Sequence, residues 1–235
     1  MGKGRRAVCR KNNEKKGANV QDEPKHVGLT IIGIIILIFI TCFIILTLRK
    51  FYILNTYAVV MGEYGKKNNY KVTMQSNEGV NNVTYYKDGI SVLILNPNQN
   101  RQMYCYNDGN ESILRIDSDG NKVAIISEPT QMNGAKVISA FGEGMTAWQN
   151  FLLSFTTMIT EEECNGKDCY KVILNGMKVW IDKETYLTVR VSNGYAVSSD
   201  GNKTPLVNNY SYEFGTVTDK QVSKPDLTGY KIQKK

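Results

Sequence analysis

Twenty-two consecutive residues without a charged side chain, 27–48 (VGLTIIGIIILIFITCFIILTL), constrain this chain more than any other feature. As a helix rising about 1.5 Å per residue, the run spans roughly 33 Å, against a bilayer hydrocarbon core of roughly 30 Å. Isoleucine is β-branched, but inside lipid the backbone must satisfy its own hydrogen bonds, and that selects helix. The run exceeds the about 7–15 residues of a signal peptide's apolar region, and no Ala-x-Ala cleavage pattern follows it. Arg49 and Lys50 close it. The sequence therefore predicts an uncleaved membrane anchor. Thr41 stands before Cys42 where lipoprotein attachment needs a smaller residue, and Arg6 stands where acylation of Gly2 needs Ser or Thr.

Charge supplies the orientation. The chain carries 29 basic and 22 acidic side chains, a net charge of +7. Residues 1–50 hold ten of the basic groups and three of the acidic ones, so residues 51–235 hold nineteen of each sign and are neutral. Eight basic groups precede the apolar run, and the positive-inside rule places residues 1–26 in the cytoplasm as a disordered basic tail. The C-terminal part then lies outside. It lacks the basic excess of a nucleic-acid-binding domain, and nucleic acid is not expected as a partner. A hydrophobic content of 42% rules out wholesale disorder.

Residues 51–67 place Phe51, Leu54, Ala58 and Met61 on one side, with Tyr57 beside them, a spacing that predicts helix. From Tyr70 the period changes to two. Six strands are predicted between Tyr70 and Ser127, separated by Asp-Gly, Asn-Pro and Asn-Glu-Gly turns. Val137, Phe141, Met145, Trp148, Leu152, Phe155 and Ile159 then recur at helical spacing, with a break expected at Gly142 and Gly144 and the run Glu161, Glu162, Glu163 as its solvated end. About four strands follow: 169–174, 178–182, 186–192 and 208–214, with a polar loop at 198–203 and an irregular end. The expected fold class is α+β, a curved antiparallel sheet of about ten strands covered by helices and preceded by one transmembrane helix.

The helix before Tyr70-Lys71-Val72, the Asp-Gly hairpins, the central amphipathic helix, the stretch Trp180-Ile181-Asp182-Lys183-Glu184-Thr185 with Val189-Arg190, and the closing Tyr212-Glu213-Phe214 resemble the LolA-like lipoprotein-sorting superfamily. The resemblance covers about residues 51–231. It implies a half-barrel of antiparallel strands with an apolar face covered by helices, where members hold lipid or acyl chains or sense envelope lipoproteins. The carrier of that superfamily is a soluble shuttle. A chain fixed in the membrane cannot cross an envelope, so local holding, sensing or handover at one membrane is expected instead.

Trp148, Phe151, Leu152, Phe155 and Trp180 are the candidate ligand-binding side chains. Two readings of them stand side by side: they line an apolar cavity between sheet and helix, or they pack helix to sheet as ordinary core. Cys164 and Cys169 bracket a polar Asn-Gly turn and could face each other across a hairpin, as a disulfide permitted outside the cell or as two thiols. One C-x4-C pair has no second pair to complete a zinc site. Cys105 is expected as a half-buried strand residue. The chain's one histidine, His26, precedes the apolar run, so the outer domain holds neither a Ser-His-Asp nor a Cys-His arrangement. Asp108, Glu111, Asp117 and Asp119 sit at hairpin turns, where Asp accepts turn geometry, and no metal site is expected from them.

The sequence thus points to a non-catalytic module without a cofactor, fixed in the membrane and holding an apolar ligand or lipoprotein. The rival is a structural or regulatory domain that binds a protein partner of the cell envelope.

Overall fold

The computed structural model describes residues 25–77, 79, 81–96, 101–118, 120–129, 145–197 and 203–235. The expectations for the basic tail up to residue 24, for Val137, Phe141 and the glycine break, for Asp119, and for the loop at 198–202 lie outside the described residues. Two compact units divide the chain between Ile44 and Ile45.

Helix α1 spans Lys25–Gly65. It contains one stretch long and apolar enough to cross a membrane, and the apolar side chains of that stretch are exposed. A helix of this length and apolarity near the N-terminus fits a membrane anchor or a signal sequence.

The larger unit is mixed α and β. Strands β1 (Asn69–Ser76), β2 (Asn81–Lys87), β3 (Ile90–Leu95), β4 (Gln102–Asn107), β5 (Ser112–Ser118) and β6 (Asn121–Ser127) precede helix α2 (Ala147–Thr156). Strands β7 (Met158–Cys164), β8 (Lys167–Leu174), β9 (Met177–Asp182), β10 (Thr188–Val197), β11 (Lys203–Phe214) and β12 (Lys231–Lys234) follow it. All twelve form one open sheet in the order β12-β6-β5-β4-β3-β2-β1-β11-β10-β9-β8-β7. Its pairs are antiparallel except β12 with β6. The two meanders meet where β1 pairs with β11, Tyr70 opposite Phe214.

The hairpins follow from local chemistry. Asp88-Gly89, Asn165-Gly166 and Asn175-Gly176 have positive φ at both positions, as a two-residue turn matched to strand twist requires. Two expectations need correction. The sheet has twelve strands, not about ten. The added β7 begins at Met158, where a helix running to Ile159 was expected. Thr157 is already extended, and Glu161 and Glu162 find cations on other elements. The added β12 lies in the end expected to be irregular and pairs with β6 from Lys231 opposite Val123.

The main core lies where the C-terminal part of α1 covers one face of the sheet. Leu54, Tyr57 and Met61 pack on Tyr70 and Val72 of β1, Val172 of β8, Val179 and Ile181 of β9, and Val191 of β10. Tyr57 and Thr188, both buried, share a hydrogen bond of 2.9 Å between their hydroxyls. A second core lies on the opposite face of β3–β5. There Val92, Tyr106 and Ile113 pack on Val217 and Val222 of the segment after β11. Asn69 fastens that segment, donating to the Val217 carbonyl and accepting from its amide, both at 2.9 Å.

Candidate functional site

Strand alternation decides what the helix-bearing face presents beyond α1. Val72 lies opposite Thr84, Thr84 opposite Leu93, Leu93 opposite Cys105, Cys105 opposite Leu114, and Leu114 opposite Ile125. The neighbouring row runs Met74, Asn82, Leu95, Met103, Ile116, Val123. Leu93, Leu95, Met103, Cys105, Leu114, Ile116, Val123 and Ile125 therefore share the face on which α1 packs. All eight are half-buried and fall outside the three buried clusters. The reverse side of the same strands is sealed by the C-terminal segment, whereas this side carries a continuous apolar surface. Burial lifts the Cys105 thiol above its ordinary pKa, so the surface is nonpolar in character as well as composition.

Helix α2 is held by a capping box: Thr146 Oγ1 accepts from the Gln149 amide at 3.3 Å, and Gln149 Oε1 accepts from the Thr146 amide at 2.8 Å. Its buried residues are polar. Asn150 is 1% exposed and Ser154 0%, while Trp148, Leu152 and Phe155, spaced 4 and 3 along one stripe, are 65%, 49% and 48% exposed. Leu153 reaches the main core. Phe151 joins α2 to α1, stacking on Trp148 at 5.5 Å and meeting Phe155 edge-on at 5.1 Å and Phe51 edge-on at 5.9 Å. Both polar atoms of the Asn150 side chain are buried without a hydrogen-bond partner among the described residues.

Of the five candidates, the structure brings Trp148, Phe151, Leu152 and Phe155 together on α2. It places Trp180 elsewhere. Val179 and Ile181 point into the main core, so Trp180 between them points to the other face. There it is 7% exposed, donates from Nε1 to Glu162 Oε1 at 2.5 Å, and lies under Lys171 and Arg190. The stretch Trp180 to Thr185 is the end of β9 and the turn that follows it. Asp182 accepts the Glu184 amide at 2.9 Å and Lys167 Nζ at 2.6 Å, and Lys183 reaches Glu161 at 2.6 Å.

Beneath Trp180, Cys164 and Cys169 are buried free thiols on adjacent strands, and the Cys169 thiol donates to the Cys164 backbone carbonyl at 4.0 Å. The direct partners across the hairpin are Lys167 and Glu162 respectively, so the two thiols are diagonal neighbours on one face. Nearby, an open groove of about 760 Å³ is lined by Glu163, Lys167, Asp168, Asp182, Lys183 and Glu184, a charged surface unsuited to an acyl chain. The hairpin carboxylates are engaged by the protein, Asp108 within its own turn and Glu111 and Asp117 by the C-terminal segment. Asp108 accepts from the Asn110 and Glu111 amides, Glu111 pairs with Lys224, and Asp117 accepts from the Tyr230 hydroxyl.

Sequence reasoning singled out the helix and missed the larger apolar surface on β3–β6. Its signal was present as alternate apolar residues on four consecutive strands, readable once the register is known.

No family model matches the chain, and no curated protein matches it. Among solved structures it is similar to an uncharacterized conserved protein from Thermus thermophilus, at 9% identity over 76% of this chain and 97% of that one, with a TM-score of 0.43.

Proposed function

We propose that this protein is a membrane-anchored, extracytoplasmic binding module that holds a lipid or acyl chain, free or attached to a lipoprotein, on the helix-bearing face of its sheet. The module binds without catalysing a reaction. The sheet is then a half-barrel of the kind the LolA-like resemblance implies. One observation carries the reading: eight half-buried apolar side chains on β3–β6 form a continuous surface beside the α1 core. Apolar area of that extent on a binding face favours an apolar occupant by roughly 25 cal/mol per Å² removed from water. The basic residues before the anchor support an N-terminus inside and the sheet outside.

Lipid extraction and native mass spectrometry of the full chain, purified from membranes in mild detergent, test it. A bound lipid is expected, and the Leu93→Gln/Leu114→Gln variant is expected to lose it while staying folded. A folded chain carrying no lipid above the level of that variant would refute the reading. A reproducible crosslinked protein partner, indifferent to the same substitutions, would favour the rival interaction module.

A further inference from the structure

Helix α2 turns Asn150, Leu153 and Ser154 inward and leaves an apolar stripe outside. Its buried positions are Asn150 and Ser154, and its exposed stripe is Trp148, Leu152 and Phe155. None of its ten residues, AWQNFLLSFT, carries a charge. Three large apolar side chains exposed along one stripe of an uncharged helix fit a nonaqueous neighbour better than water.

The position of α2 identifies that neighbour. Phe151 touches Phe51, and Phe51 lies three residues beyond Leu48, where the apolar run ends. Three helical residues rise about 4.5 Å, and the headgroup layer on each side of a bilayer is about 5–7 Å deep. The contact point therefore falls within the headgroup layer, whatever the tilt of the helix, because tilting only reduces the height. Ile45, Leu46 and Leu48 are exposed in the same unit as the sheet, as lipid-facing residues would be, and Tyr52 is exposed just beyond them. Tyr and Trp are the residues enriched at the membrane–water boundary. Arg49, at the boundary itself, is paired with Glu161, so its charge is neutralised by the sheet.

The geometry points to α2 as an interfacial helix: its Trp148, Leu152 and Phe155 stripe docks on the outer leaflet of the bilayer that residues 27–48 cross. This rests on the anchor reading and not on the ligand reading. Docking adds a second attachment to the first and holds the sheet at the surface from which a lipid would be taken.

The chain's two tryptophans make the test direct, because Trp180 lies buried on the opposite face of the sheet. The full chain is reconstituted in vesicles of phosphatidylethanolamine and phosphatidylglycerol, with and without phosphatidylcholine brominated on its acyl chains near the headgroup. Bromolipid is expected to reduce the emission of the wild-type chain. That loss is expected to vanish in Trp148→Phe and to shrink in Leu152→Glu/Phe155→Glu, whose changes fall at exposed positions. Flotation of the vesicles reads the anchor separately. A chain that floats while aqueous acrylamide, and not bromolipid, quenches Trp148 would overturn the docking and leave the anchor standing. A chain that does not float would overturn both.

Discussion

The ring of Phe151 meets the ring of Phe51 edge to face, with centroids 5.9 Å and planes 79° apart. This contact ties α2 to the segment that leaves the apolar run. Edge-to-face pairs contribute about 0.5–1.5 kcal/mol beyond the area they bury.

Phe51→Ala is expected to lower the unfolding free energy of the full chain by about 2 kcal/mol, from the pair and the lost burial together. The loss should be local. Hydrogen exchange should accelerate at the amides of Asn150 to Leu153 before it does at β8 and β9, whose core does not use Phe51. Equal acceleration in both places would show that Phe51 does not specifically hold α2.

Periodicity reported which residues of α2 share a face, but not which way that face turns. Trp148, Leu152 and Phe155 were legible as a stripe; their exposure was not, because it depends on what Phe51 and the end of the apolar run bring nearby. The hairpins were legible because Asn-Gly and Asp-Gly encode positive φ locally. Strand β7 was hidden for the opposite reason. Ile159 sits at helical spacing from Phe155, and Glu161 to Glu163 read as solvated until Arg49, Lys183 and Lys171 arrive from distant positions. The pairing of β12 with β6, more than a hundred residues apart, has no local signature at all.

Cys105 reports on the apolar surface. Burial raises its thiol pKa, so alkylation of the folded, delipidated chain should be slower than for an exposed thiol and should keep rising with pH beyond the ordinary thiol range. An added lysophospholipid that occupies the surface should slow it further. Peptide mapping separates Cys105 from the other cysteines. A rate unchanged by saturating lysophospholipid would place the lipid elsewhere.

The Cys164 and Cys169 pair tests the topology. Outside the cell an oxidising compartment permits their bridge, and peptide mapping without reductant is expected to find the fragment spanning both lighter by two hydrogens. Closure should be slow without a catalyst. Burial first, then the neighbouring Cys164 and Asp182, push the Cys169 thiol up to about 12, and burial also raises Cys164 against the opposing effect of Arg190. Thiolate is scarce at neutral pH, so reoxidation of a reduced chain by a small disulfide should accelerate as pH rises. Two alkylatable thiols in chain taken directly from membranes would argue against an oxidising location.

Asp182 sets an acid limit on the sheet. Burial pushes its carboxyl upward, but the Lys167 ammonium, the Glu184 amide and the Thr185 hydroxyl together outweigh burial and hold it below the ordinary carboxylate range. A group whose folded pKa is depressed contributes stability above its unfolded value, near about 3.9, and loses it as pH falls through the folded value. The wild-type chain should therefore lose thermal stability as pH falls through and below about 3.9 more steeply than Asp182→Asn, which cannot titrate there. At neutral pH the variant should be less stable by about 1–3 kcal/mol, because a buried acceptor for Lys167 has lost its charge. Nearly parallel curves for the two proteins across the acid range would show that the turn of β9 into β10 does not depend on that carboxylate.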